Sequence, residues 1–137
     1  MSQKGGCFCD KVRISYTGEA SAHVLCHCLD CKKISGAIFS SNFIFPQDNF
    51  EVESGAPKTI SKVADTGKTV TSHFCGDCGT TLYRTSDTFP QQIILKVGVM
   101  DDPELLNKNV PKSELFAPRR ASWQQAVKDA AQVPTMQ

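Results

Sequence analysis

KTISKVADTGKTVTSHFCGDCGTTLYRT, residues 58–85, does most to place this chain in a fold class. KTISKVA (58–64) and KTVTSHF (68–74) are rich in β-branched residues and flank DTG (65–67), which is a hairpin signal. TLYRT (81–85) reads as a further strand. Ahead of it stands CGDCG (75–79), a CxxC turn with a glycine after each cysteine. Gly76 and Gly79 can take positive φ, which lets the chain curl around an ion and aim N–H groups at sulfur.

Further strands flank this block. VRISY (12–16) places Val12, Ile14 and Tyr16 on one face. GAIFSSNFIF (36–45) is aromatic and ends at Pro46. FEVES (50–54) precedes a GAP turn, and IILKVGV (93–99) completes the set. Short strands at this spacing predict an all-β protein, a sandwich or folded-over sheet, with one domain over residues 1–137. From Arg119 the period changes. Trp123, Val127 and Ala130 share a helical face, Ser122 is a candidate N-cap, and Pro134 lies past the end. This predicts a short C-terminal helix over about 121–132, with Trp123 anchoring it to the sheet.

Hydrophobic content of 40% and charged content of 21% are ordinary for a globular protein. A formal charge of +1 without a long basic run gives no electrostatic case for nucleic acid. No stretch approaches the roughly 20 apolar residues of a membrane helix. MSQKGGCFCD lacks the apolar core of a signal peptide, so the expected location is cytoplasmic.

Cysteine is the outlier. Seven are present, at 7, 9, 26, 28, 31, 75 and 78, and an odd count argues against a disulfide framework. CFC sets Cys7 and Cys9 two residues apart, so in an extended strand both thiols face one side. With Cys75 and Cys78 they supply four sulfurs, a closed tetrahedral site of the structural zinc kind. A redox role for CxxC belongs near a βαβ pattern, whereas this region is β throughout.

LCHCLDCKK (25–33) holds the other three. Cys26 and Cys28 share a strand face, and LDC turns the chain so that Cys31 can return to them. Three protein ligands and an open position form the arrangement of a catalytic zinc. His27 starts on the opposite face and is poorly placed as a fourth ligand. His23, His73 and Asp30 are other candidates, and any of them would close the site. Zinc with three thiolates carries one net negative charge and is a weak electrophile. It suits an incoming thiol, held as thiolate and presented as a nucleophile. Lys32 and Lys33 could offset that charge, attract an anionic ligand, or be solvated surface. The loops after Gly36 and around Ser86–Gln92 are candidates for shaping a pocket.

GGCFCDKVRISYTGE (5–19), CHCLDCKKISGAIFSSNF (26–43) and FCGDCGTTLYR (74–84) together resemble the glutathione-dependent formaldehyde-activating enzyme family, which includes centromere protein V. The resemblance covers about residues 5–120. It implies an all-β, Mss4-like fold of folded antiparallel sheets braced by two zinc ions. Cys7, Cys9, Cys75 and Cys78 match the structural ligands, and Cys26, Cys28 and Cys31 match the catalytic ones. The implied activity is that of a carbon–sulfur lyase joining glutathione and formaldehyde into S-hydroxymethylglutathione. Two departures stand out. Asp10 occupies a position that is commonly glycine, and Lys32 one that is commonly arginine, losing a bidentate fork for a carboxylate. The tail is similar to that of fungal members. Two other functions compete with this one: the same chemistry on another glutathione conjugate or aldehyde, and a non-catalytic zinc module that binds a partner.

Overall fold

Alternating apolar residues and turn chemistry produce eleven strands in the computed structural model, which describes residues 2–136. They are β1 Ser2–Gly6, β2 Arg13–Thr17, β3 Ala22–Cys26, β4 Ser40–Pro46, β5 Phe50–Ser54, β6 Lys58–Val63, β7 Thr69–Phe74, β8 Thr81–Ser86, β9 Phe89–Lys96, β10 Ser113–Leu115 and β11 Ala131–Gln132. Two short helices, α1 Leu29–Ser35 and α2 Leu105–Lys108, interrupt them. A three-stranded sheet runs β1-β2-β5, and an eight-stranded sheet runs β11-β10-β3-β4-β9-β8-β7-β6. None of the helices among the described residues is long and apolar enough to cross a membrane.

The predicted hairpin is β6–β7, antiparallel from Lys58↔Phe74 to Val63↔Thr69, and Gly67 takes φ +82° in its turn. The larger sheet is antiparallel except at one edge, where β10 lies parallel to both β3 and β11. Antiparallel pairing was the expectation for the whole fold. The parallel edge arises because the chain returns from far in sequence to lie beside β3.

The core sits between the two sheets. Ile14 and Tyr16 of β2 meet Phe43 and Phe45 of β4, Tyr83 of β8 and Leu95 of β9. Tyr16 stacks on Phe45 at 4.8 Å, and Phe50 packs on Tyr83 at 4.6 Å. Strand alternation then turns the intervening residues to the other face of the large sheet. Val24, Cys26, Asn42, Ile44, Arg84, Ser86, Ile94 and Lys96 line a cleft there. One face of the sheet thus makes the core and the other makes the site.

Four local expectations need correction. Residues 7–10 form a turn rather than a strand. GAIF (36–39) and VGV (97–99) are not strand either; the latter is a single 3₁₀ turn. The helix expected over 121–132 is not formed. Residues 121–130 run in turns, with Gln124 N–H on Ala121 O and Ala130 N–H on Val127 O, and Asp129 takes φ 65°. The Val127 N–H, which a helix would use internally, donates instead to the Glu114 carboxylate at 2.7 Å. Pairing of 131–132 with β10 then holds the chain extended. Trp123 is 74% exposed and anchors nothing.

Candidate metal centres and their cleft

The outer cluster joins two turns distant in sequence. Cys7, Cys9, Cys75 and Cys78 present sulfurs that all lie within 4.8 Å of one another. Cys7 and Cys9 are 3.6 Å apart at sulfur, and Cys9 and Cys75 are 3.7 Å apart. A tetrahedron of sulfurs around zinc at about 2.3 Å has edges of about 3.8 Å, so the four thiols fit such an ion. The first turn is closed by Cys7 N–H on Val12 O and Asp10 N–H on Cys7 O, while Val12 N–H points at Cys7 Sγ from 3.3 Å. In the second turn Gly79 takes φ +80°, as expected, and its N–H reaches Cys75 O at 2.8 Å.

Gly76 has no positive φ. A Cβ there would lie 2.7 Å from Cε of the exposed, flexible Lys58 side chain, which can move aside. Thr80 links the turns: its hydroxyl accepts from Phe8 N–H at 3.1 Å and lies 3.3 Å from Cys78 Sγ. The Thr80 hydroxyl and N–H bring the Cys78 thiol down to about 5, favouring the thiolate a metal needs.

Asp10 takes φ 65°, the left-handed region that favours glycine. The glycine that the family resemblance leads one to expect here would adopt this conformation without strain. Asp10→Gly is expected to raise stability by up to about 1 kcal/mol, because relieving the left-handed strain outweighs an exposed ion pair with Arg13. A fall in the denaturant midpoint would contradict this.

The inner cluster is built differently from its sequence description. Cys26 ends β3, Cys28 is the N-cap of α1, and Cys31 lies in the first turn of that helix. The helix, not a tight turn, brings Cys31 back. Cys28 Sγ accepts from Cys31 N–H at 3.3 Å, and Gly36 closes the helix at φ 69°. The three sulfurs lie within 4.8 Å of one another, and Cys26 and Cys31 are buried. Thiols of Cys26 and Cys28 hydrogen-bond to Cys31 and hold it well below its usual range, with Lys96 and Ser40 adding to the effect against burial. Cys26 is pushed up by its hydrogen bonds with Cys28 and Cys31 and by burial. A bound cation would displace the protons of all three thiols.

Of the candidate fourth ligands, His23 and His73 are held by other partners, whereas Asp30 lines the same cleft as the three cysteines. His23 donates from Nδ1 to Asn109 O at 2.6 Å and accepts at Nε2 from the Ser41 hydroxyl. His73 stacks on Tyr83 at 4.2 Å and meets the Thr85 hydroxyl. Asp30 pairs with Lys62 at 2.6 Å. His27 is fully buried and donates from Nε2 to Glu114 Oε1 at 2.7 Å, while its Nδ1 has no hydrogen-bond partner among the described residues. Lys32 donates to Arg119 O at 2.7 Å, tying α1 to the tail.

Cys26, Cys28 and Cys31 all line the cleft, a cavity of about 90 Å³ with Val24, Ile44 and Phe89 among its apolar walls. Two cations enter it. Arg84 is fixed by Ser72 Oγ at 3.1 Å and directs Nη1 to Cys31 Sγ at 3.7 Å. Lys96, 9% exposed, donates to Asn42 Oδ1 at 2.7 Å. Burial lowers the Lys96 ammonium to about 8, opposed by the thiolates. Neither cation was singled out from sequence, although a lysine inside the apolar run IILKVGV is a detectable signal. Of the loops expected to shape a pocket, the one around Ser86–Gln92 supplies Ser86 and Phe89.

The family model for glutathione-dependent formaldehyde-activating enzyme matches residues 2–119. Proteins from Aspergillus flavus and Podospora anserina, each called a putative glutathione-dependent formaldehyde-activating enzyme, are 30% and 31% identical over 79 and 80 residues. These matches cover 56% and 57% of this chain but only 40% and 37% of the relatives, so the matched region is about two fifths of their length. A Rhodobacter sphaeroides protein of known crystal structure shares the fold, with a TM-score of 0.59 at 19% identity, covering 74% of this chain and 92% of that one.

Proposed function

The chain belongs to the glutathione-dependent formaldehyde-activating enzyme family, and from that premise we propose that it is a cytoplasmic, zinc-dependent carbon–sulfur lyase. The substrates are glutathione and formaldehyde, and the product is S-(hydroxymethyl)glutathione. The observation that carries this proposal is a cluster of three thiols, not four, opening onto a cleft. Cys7, Cys9, Cys75 and Cys78 hold a structural zinc, and Cys26, Cys28 and Cys31 hold a second, catalytic one. Bound there, zinc would supply a coordination position that takes a substrate sulfur and keeps it as thiolate.

The chain's own groups do the rest. Arg84 faces Cys31 and offsets the negative charge that accumulates with thiolates. The cavity of about 90 Å³ admits a small aldehyde but not a tripeptide, so glutathione lies across its mouth with the sulfur directed inward. Apolar walls keep water from the reacting carbon.

The test uses Cys28→Ser. Serine is itself a good N-cap, so α1 keeps its start. Wild type is expected to consume formaldehyde in the presence of glutathione and to carry two zinc ions per chain. The variant is expected to fall to the uncatalysed rate and to retain the outer zinc. Equal rates at the uncatalysed level for the two proteins would reject the activity. An inner zinc that glutathione leaves untouched would favour a binding module instead.

A further inference from the structure

Addition of a thiolate to an aldehyde moves negative charge from sulfur to the carbonyl oxygen, and a fixed donor at that oxygen accelerates the step. The cleft contains two cations, Arg84 and Lys96, of which Lys96 is the more deeply buried. Lys96 on β9 stands directly opposite Asn42 on β4, and both line the cavity that the three cysteines share. The Asn42 amide nitrogen donates to Val24 O at 3.3 Å and Ser40 Oγ at 3.0 Å, which turns its oxygen toward Lys96. An ammonium has three N–H donors. Asn42 Oδ1 is the sole hydrogen-bond acceptor for Lys96 among the described residues, and no carboxylate pairs with it. Buried lysines are ordinarily paired with a carboxylate. Arg84, the other cation, is held by Ser72 and Cys31.

We propose that Lys96 is the donor that holds the carbonyl oxygen of the aldehyde, with Asn42 orienting its ammonium. The sulfur lone pair forms the S–C bond, the C=O π pair moves onto oxygen, and that oxygen rests against Lys96. One proton leaves the thiol for solvent and one returns from solvent to the oxygen, so no further reactant is needed. This role rests on the carbon–sulfur activity proposed above.

Lys96→Met keeps an unbranched stem, one atom shorter, and removes the donor. In the zinc-loaded protein it is expected to lower kcat/KM for formaldehyde by about 10²–10³-fold. Zinc content should stay at the wild-type value, and calorimetric affinity for glutathione alone should change by less than about threefold, since neither involves the oxygen. Turnover within about threefold of wild type would overturn the role of Lys96 while leaving the activity standing. Loss of zinc or of glutathione affinity together with turnover would overturn it too, marking Lys96 as a counter-charge to the thiolates. If wild type itself shows no turnover, the activity fails, and the role of Lys96 with it.

Discussion

Cys75→Ser is expected to leave most of the protein unfolded at room temperature. Cys75 is 1% exposed and belongs both to the outer thiol cluster and to the hydrophobic core. Its cluster joins the turn after β1 to the turn between β7 and β8, so it links the three-stranded sheet to the eight-stranded one. A structural zinc site contributes about 10–16 kcal/mol of apparent binding free energy in small domains. The whole stability of a domain of this size is about 5–15 kcal/mol. Losing the first quantity can therefore exceed the second. Circular dichroism and zinc content of the variant would check this, and chelator treatment of the wild type should reproduce the loss. A variant that melts at the wild-type temperature would show that the outer cluster does not brace the fold.

Glu114→Gln should have the next largest effect. The Glu114 carboxylate is fully buried and surrounded by donors. Oε1 accepts from His27 Nε2 at 2.7 Å and Arg120 Nε at 3.4 Å, and Oε2 accepts from Val127 N–H at 2.7 Å and Gln132 Nε2 at 2.9 Å. Arg120 also binds Gln132 Oε1, which closes the ring. Glutamine must turn an NH₂ toward two of these donors in either orientation, leaving buried N–H groups unmatched.

The pH dependence follows. Burial alone would raise the Glu114 carboxyl, but Gln132, His27, the Val127 N–H and the Arg120 charge outweigh it and hold the group at about 2 against an ordinary 4.5. A depressed carboxyl contributes stability above its unfolded value and loses it as pH falls toward the folded one. The window here runs from about pH 5 down to about 2, and the contribution is about 3 kcal/mol. Glu114→Gln is expected to lower unfolding free energy at pH 7 by about that amount and to flatten the acid limb of the stability curve between those limits. Urea titrations across this range provide the measurement. Parallel acid limbs for the two proteins would rule the network out as the source.

The same network shows where sequence patterns lose their force. Trp123, Val127 and Ala130 do have helical spacing, yet a helix of about twelve residues is marginal without tertiary packing. Here the Val127 N–H finds a buried carboxylate, and Ala131 and Gln132 find a strand edge. The CFC segment also departs from its expectation. Its thiols converge through a turn that requires Asp10 in a left-handed conformation, not through strand alternation. In LCHCLDCKK the convergence of Cys26, Cys28 and Cys31 was legible, and the helix that produces it was not.

Sequence by itself determined the all-β class, the β6–β7 hairpin and the division of seven cysteines into clusters of four and three. These rest on local regularities, namely the two-residue period of strands and ligand spacings within a turn. Tertiary structure alone decided what surrounds the three-cysteine cluster. Arg84, Asn42 and Lys96 come from β8, β4 and β9, all distant from Cys26 in sequence. They meet because adjacent strands place alternate side chains on one sheet face, and which strands become adjacent is a property of the folded chain.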